Sequence, residues 1–161
     1  MIYILTGAIR TGKTTALLNW ITDRNDADGL LCPADDNGKR FFLKVKSKES
    51  FSLEVNSDNV KDTITIGSFR FLKSAFDEAN HFLSSMSSEM KNQYLIIDEL
   101  GKLELKSQGL HPAAECLIHN YIHNSNQHLI IVVRESLLEE ITNHYNISKY
   151  LVLKKEDLES L

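Results

Sequence analysis

Gly7-Ala8-Ile9-Arg10-Thr11-Gly12-Lys13-Thr14 spells G-x-x-x-x-G-K-T, the pattern of a phosphate-binding P-loop. Its flanks match the pattern. Ile2-Tyr3-Ile4-Leu5 is a short apolar run suited to a buried parallel strand. Thr15 to Thr22 has helical composition with apolar positions at 17, 18 and 21, and it runs out near Asp23. Strand, glycine-bounded loop and helix together turn the pattern into a candidate site. Gly7 allows a sharp exit from the strand, and Gly12 lets the backbone approach an anion with no side chain in the way. The loop N–H groups and the helix N-terminus then surround phosphate with positive partial charge. In that chemistry Lys13 reaches the β- and γ-phosphates and the Thr14 hydroxyl ligates Mg²⁺.

The composition admits this reading and narrows the rest. The chain has 161 residues, 25% charged, with a formal charge of −4. One domain over 1–161 is expected, and the charge gives no basic field for nucleic acid. Cys32 and Cys116 lie far apart with no zinc spacing, which reads as two free thiols in a reducing cytosol. No run approaches the ~20 apolar residues of a membrane span. With a strand beginning at residue 2 there is no room for a signal peptide, so a cytoplasmic location is expected.

After the first helix, 29–55 reads as antiparallel strands: Leu30 to Pro33, a turn at Asp35-Asp36-Asn37-Gly38, then Arg40 to Lys46 and Phe51 to Val55. This insertion is either a lid or a plain extension of a sheet. Asn56 to Asn59 is a loop, and Thr63 to Phe69 is a strand ending at Gly67. A helix of about three to four turns starts at Phe71, with Leu72, Ala75, Phe76, Ala79, Phe82 and Leu83 on one face. Serines at 84, 85, 87 and 88 end it. Tyr94 to Ile97, Leu129 to Val133 and Tyr150 to Leu153 are further strands. They alternate with helices opened by His111-Pro112 and by Ser136-Leu-Leu-Glu-Glu. Lys154 to Leu161 reads as a polar tail. Strands alternating with helices imply a mostly parallel sheet covered on both faces.

The second constellation is Tyr94-Leu95-Ile96-Ile97-Asp98-Glu99, an apolar strand ending in two carboxylates. Ligands bind at the carboxyl ends of parallel strands, where this pair falls. Side chains alternate along a strand, so the two carboxylates have separate tasks. Asp98 faces Mg²⁺, directly or through water, and Glu99 orients or deprotonates a water attacking the γ-phosphate.

The run Leu95-Ile-Ile-Asp-Glu-Leu-Gly-Lys-Leu-Glu-Leu105 resembles the D-E-I-G-K-M-E-L signature of the small P-loop nucleoside-triphosphatase family. The likeness extends to the P-loop, to the hairpin with Gly38-Lys39-Arg40, to Ile66-Gly67 and to Val132-Val133-Arg134-Glu-Ser-Leu-Leu138. The resemblance implies a three-layer, RecA-like fold and Mg²⁺-dependent hydrolysis of nucleoside triphosphates to diphosphate and phosphate, with loose base preference. It places nucleotide contacts on Gly7, Ala8, Ile9, Arg10, Thr11, Gly12, Lys13 and Thr14. It places a second set on Leu95, Ile96, Ile97, Asp98, Glu99, Leu100, Gly101 and Lys102. The family often has glycine where Arg10 stands, and Ile and Met where Leu100 and Leu103 stand. The Arg10 guanidinium either supplies charge near the γ-phosphate or points to solvent.

On this reading the catalytic set is Lys13, Asp98 and Glu99, with Thr14 and Asp98 on the metal. Lys102 contacts phosphate or is a surface lysine. Arg134 ends a strand on the same side of the sheet, where it either stabilises charge on the γ-phosphate or sits in an ion pair. His119 and His123 have i, i+4 spacing but lack H-E-x-x-H, and read as surface or partly buried residues. Trp20, Phe71, Phe76 and Phe82 read as core. Two other functions fit the same apparatus: a small-molecule or nucleotide kinase, and a slowly hydrolysing nucleotide-dependent interaction module.

Overall fold

The computed structural model describes residues 1–56, 62–89, 92–124 and 126–161, and the side chains of all of these except 87–89. The expected loop at 56–59 falls largely outside them. Among the described residues nine strands and four helices follow one another in the order below. Strand β1 (Ile2–Gly7) leads through the glycine loop into α1 (Lys13–Trp20), and β2 (Ala27–Leu31), β3 (Phe41–Lys44) and β4 (Ser50–Ser52) follow. Next come β5 (Thr63–Ile66), β6 (Phe69–Leu72) and α2 (Lys73–Glu89). Then β7 (Tyr94–Leu100), α3 (His111–Ile122), β8 (His128–Arg134), α4 (Leu138–His144) and β9 (Tyr150–Leu153) complete the series.

Seven strands form one sheet in the order β4-β3-β2-β7-β8-β1-β9. From β2 to β9 every neighbouring pair is parallel, and β3 and β4 add antiparallel strands at one edge. The central strands carry apolar residues on both faces, which is why they read as continuous runs. On one face Ile4, Ile97, Ile131 and Val133 pack against Ala79 and Leu83 of α2, Leu117 of α3 and Ile141 of α4. On the other, Leu5, Ile96, Ile130 and Val132 pack against Leu17 of α1 and Leu158 near the C-terminus. That is the three-layer, mostly parallel P-loop architecture, and it accounts for 2–5, 94–97, 129–133 and 150–153 as strands.

Several sequence expectations need correction. The segment 29–55 does form antiparallel strands that extend the sheet, β2 with β3 and β3 with β4, but its first strand also lies parallel to β7 and so belongs to the main sheet. Thr63 to Phe69 is not one strand. Gly67, at φ 58°, turns the chain, and β5 pairs with β6 as a separate hairpin. A glycine in the left-handed region is what a two-residue hairpin turn demands. Phe71 therefore lies in a strand, and α2 starts at Lys73. That helix also runs through the serines to Glu89. Serine is only mildly unfavourable in a helix, and the buried stripe of Ala75, Ala79 and Leu83 outweighs it. The C-terminal segment is more than a polar tail. Lys155–Ser160 forms a 3-10 turn that buries Leu158, and the Tyr94 hydroxyl donates to the Leu161 carbonyl at 3.1 Å.

Gly29 sets the spacing of β2 and β7. It sits opposite Ile96 at φ 127°, and a Cβ there would run into the Ile96 backbone. Gly29→Ala is therefore expected to cost at least ~3 kcal/mol, a fall in Tm of about 10 °C for a domain of this size. A thermal unfolding midpoint within about 2 °C of the parent would refute this role for Gly29.

Candidate functional site

Because β1, β8 and β7 are parallel neighbours, their carboxyl ends share one edge of the sheet. Gly7 stands opposite Arg134, and Val133 stands opposite Leu100. Three chemically different groups thus meet there: the phosphate loop, an arginine and a carboxylate pair.

The loop leaves β1 at Gly7 and enters α1 through Gly12, at φ 83° with no side-chain cap. The first-turn N–H groups of α1 are thus not claimed by a capping side chain, and no acidic residue sits in that turn. Lys13, 7% exposed, folds back so that its Nζ donates to the carbonyls of Gly7 (3.1 Å) and Ala8 (2.9 Å). Thr11 Oγ1 donates to the Ala8 carbonyl at 2.9 Å. Ile9 and Arg10 are exposed at the tip. Arg10 has φ 60°, a left-handed conformation that costs a non-glycine residue about 1 kcal/mol. The glycine that the resembling family often carries at this position suits that backbone.

Asp98 is the fixed point of the opposite wall. It is 2% exposed. Its Oδ2 accepts from Thr14 Oγ1 at 2.8 Å and from the Cys32 N–H at 3.1 Å. Burial pushes its carboxyl up to about 6, against the pull of these two hydrogen bonds. Nearby Glu99 pushes the same way, and Arg40 opposes it. Glu99 takes a different partner, and because β7 and β8 change register between Ile97 and Leu100, regular strand alternation does not set its direction. Arg134 donates to its Oε1 through Nε (3.1 Å) and Nη2 (2.6 Å). Glu99 Oε2 has no protein partner among the described residues.

A hydroxyl and a carboxylate form a hard oxygen donor set of the kind Mg²⁺ takes, with phosphate and water completing its shell. The buried carboxylate of Asp98 is also what a cation would compensate. Thr14 and Asp98 therefore fit the metal. Among the described residues no group of three or more His, Cys, Asp or Glu could hold an ion. His119 on α3 and His123 just past its end are exposed, with rings 6.2 Å apart. Cys32 is buried beside Asp98 and Cys116 is exposed, and both thiols are free.

The remaining candidates divide. Leu95, Ile96, Ile97 and Leu100 are buried in the sheet and carry the strand rather than facing the loop. Lys102 is exposed and borders a neighbouring cavity, which Gly101 also lines. Trp20 is half-buried, edge-on to Tyr94 at 5.2 Å, with the Arg24 guanidinium over its other contact surface at 4.2 Å. Phe76 and Phe71 are buried, and Phe82 is partly so.

Two residues escaped the sequence reading as individual contributors. Arg40 borders both the loop mouth and the neighbouring cavity, with its guanidinium carbon 5.8 Å from the Phe69 ring centre. Glu104 is 4% exposed, and burial raises its pKa. Its oxygens accept the N–H groups of Gly101 (2.8 Å) and Leu110 (2.9 Å). It closes the loop after β7, which gives the second glutamate of D-E-L-G-K-L-E-L a structural task.

Two comparisons place this geometry. The fold matches the crystal structure of THEP1 from the hyperthermophile Aquifex aeolicus, with TM-score 0.71 and 17% identity. The match covers 99% of this chain and 96% of that one. Among curated proteins, none matches the chain by sequence. The sequence over residues 2–161 matches the NTPase family model, and the chain belongs to that family of P-loop nucleotide-binding proteins.

Proposed function

We propose that the protein hydrolyses nucleoside triphosphates to diphosphate and phosphate in the presence of Mg²⁺, with broad tolerance of the base. One observation carries the reading: Thr14 donates to buried Asp98 at 2.8 Å, beside a glutamate that an arginine holds. The loop amides and Lys13 receive the β- and γ-phosphates. Lys13 reaches them by leaving the Gly7 and Ala8 carbonyls, which lie at the same loop. Thr14 and Asp98 would hold Mg²⁺, which when bound would supply positive charge beside the phosphate oxygens. Glu99 orients the attacking water through its free Oε2 and takes its proton. Arg134 spans the gap between Glu99 and the phosphates. Incoming γ-phosphate competes for its guanidinium, which loosens its grip on Glu99 as the substrate arrives.

The base tolerance is supported by the flanks of the loop mouth, where Ile9, Leu18, Pro33 and Ala34 offer apolar contact. Such contacts favour any flat ring over one hydrogen-bonding pattern. No helix of the described residues is long and apolar enough to cross a membrane.

The direct test is phosphate release from ATP, GTP, CTP and UTP with and without Mg²⁺. Release from all four, dependent on the metal, is expected. Release that is equal without Mg²⁺ would exclude the role given to Thr14 and Asp98. Glu99→Gln is expected to keep nucleotide affinity and lose about 10²–10⁴-fold in turnover. Unchanged turnover would remove Glu99 from the reaction.

Asp98 also makes a pH prediction for the metal-free protein. Its folded value of about 6 lies above the ordinary 3.8. Between these values the folded chain keeps a proton that the unfolded chain has released. Its contribution to stability is therefore full below about pH 4 and falls, by on the order of 2–3 kcal/mol, as pH rises through about 6. Asp98→Asn, which cannot ionise, is expected to gain in Tm relative to the parent as pH rises across that window. A Tm difference that stays constant from pH 4 to pH 7 would contradict this.

A further inference from the structure

Beside the loop mouth the fold closes a second cavity of about 510 Å³, within the range of small-molecule sites. It touches none of residues 7–15, yet it shares Cys32, Arg40, Glu99 and Arg134 with the mouth. The two spaces thus meet at the atoms that would face a γ-phosphate. Its walls are unlike the loop mouth. Phe42, Phe69, Phe71 and Phe76 line it, from β3, from the β5–β6 hairpin and from α2. The Phe69 and Phe71 rings lie parallel to within 3° at 6.1 Å.

The charges at its border are equally specific. Lys102 and Lys106 are exposed at the rim, and neither has an acidic partner among the described residues. Glu104 also borders the space, but its oxygens are taken by the Gly101 and Leu110 amides. At the inner end stands Glu99, with Oε2 unoccupied by protein. An aromatic wall selects a flat ring, unpaired lysines select an anionic substituent, and a carboxylate next to the phosphate path selects a hydroxyl group.

We propose that this cavity seats a second substrate, a small aromatic alcohol bearing an acidic group, whose hydroxyl takes the γ-phosphoryl group in place of water. The proposal rests on the triphosphate reading of the loop. In the step, the acceptor oxygen forms a bond to the γ-phosphorus as the bond from that phosphorus to the β-bridging oxygen breaks. The bonding pair leaves on the nucleoside diphosphate, and the hydroxyl proton passes to Glu99. With the cavity empty, water reaches the same carboxylate, and hydrolysis is the reaction that remains.

The test uses the full chain with Mg²⁺ and ATP labelled at the γ-phosphate. The probes are AMP, GMP, CMP, UMP and pyridoxine 5′-phosphate, each with ring, hydroxyl and anion. Adenosine lacks the anion and ribose 5-phosphate lacks the ring. Transfer of label to a hydroxyl of at least one ring-bearing phosphate is expected, with little transfer to either control, whereas label on the probe's own phosphate, giving a diphosphate, would overturn the hydroxyl step. Calorimetry with the loop filled by the β,γ-imido analogue of ATP should show that probe binding at least about tenfold more tightly than the controls. Lys106→Glu and Ser68→Trp, both at exposed positions on the cavity border, should each weaken it by about tenfold. Phosphate release from ATP with no probe bound or labelled would overturn the proposal, and so would binding without transfer. A chain that neither releases nor transfers phosphate would fail the triphosphate reading itself.

Discussion

The arrangement depends on a carboxylate kept out of water. Asp98 is 2% exposed and holds Thr14 with one oxygen, which it shares with the Cys32 amide. Two hydrogen bonds are too few to offset the loss of hydration, so its pKa rises to about 6. A cation next to it reverses the balance, because a dry carboxylate attracts a metal far more strongly than a hydrated one does. The same burial that weakens the metal-free fold would therefore strengthen the proposed metal site.

That carboxylate can face Thr14 because the chain on both sides of it is tied down. Gly29 lets β2 lie against β7 at full pairing, and Cys32, just beyond β2, brings its amide to Asp98. On the other side of Asp98, Glu104 takes the amides of Gly101 and Leu110 and fixes the chain that leaves β7. Asn80 of α2 adds a donor to the Gly109 carbonyl at 2.8 Å and accepts from the Ala113 N–H at 3.1 Å. Polar side chains thus satisfy the backbone exactly where regular structure stops, as buried main-chain groups require.

What the sequence made legible follows from what was local. The P-loop shows because its chemistry is done by main-chain groups, so its glycines and its lysine must keep fixed spacing. The buried strands show because both of their faces are apolar. The β5–β6 hairpin did not, although Gly67-Ser68 between two apolar runs is a hairpin signal. The aromatic residues after it, Phe69 and Phe71, merged with the helical pattern of Ala75 and Ala79. The docked C-terminus was hidden for another reason: only Leu158 is buried, and a single apolar residue gives no periodicity. Glu104 and Arg40 were invisible as individual contributors because their partners lie on other elements or in backbone amides.

The Arg134–Glu99 pair shows where local reading stops and topology takes over. Both residues were recognised as strand-end groups, but nothing in their spacing of 35 residues joins them. Strand order does. With β8 inserted between β1 and β7, the residue that ends β8 lies between the phosphate loop and the acidic strand end. An arginine there reaches either a carboxylate or a phosphate with the same planar fork. Had β7 been the direct neighbour of β1, Arg134 would stand at the outside of the carboxylate pair and touch only one of them. The middle strand therefore sets one guanidinium at the loop mouth while it holds Glu99, a pairing that only the strand order explains.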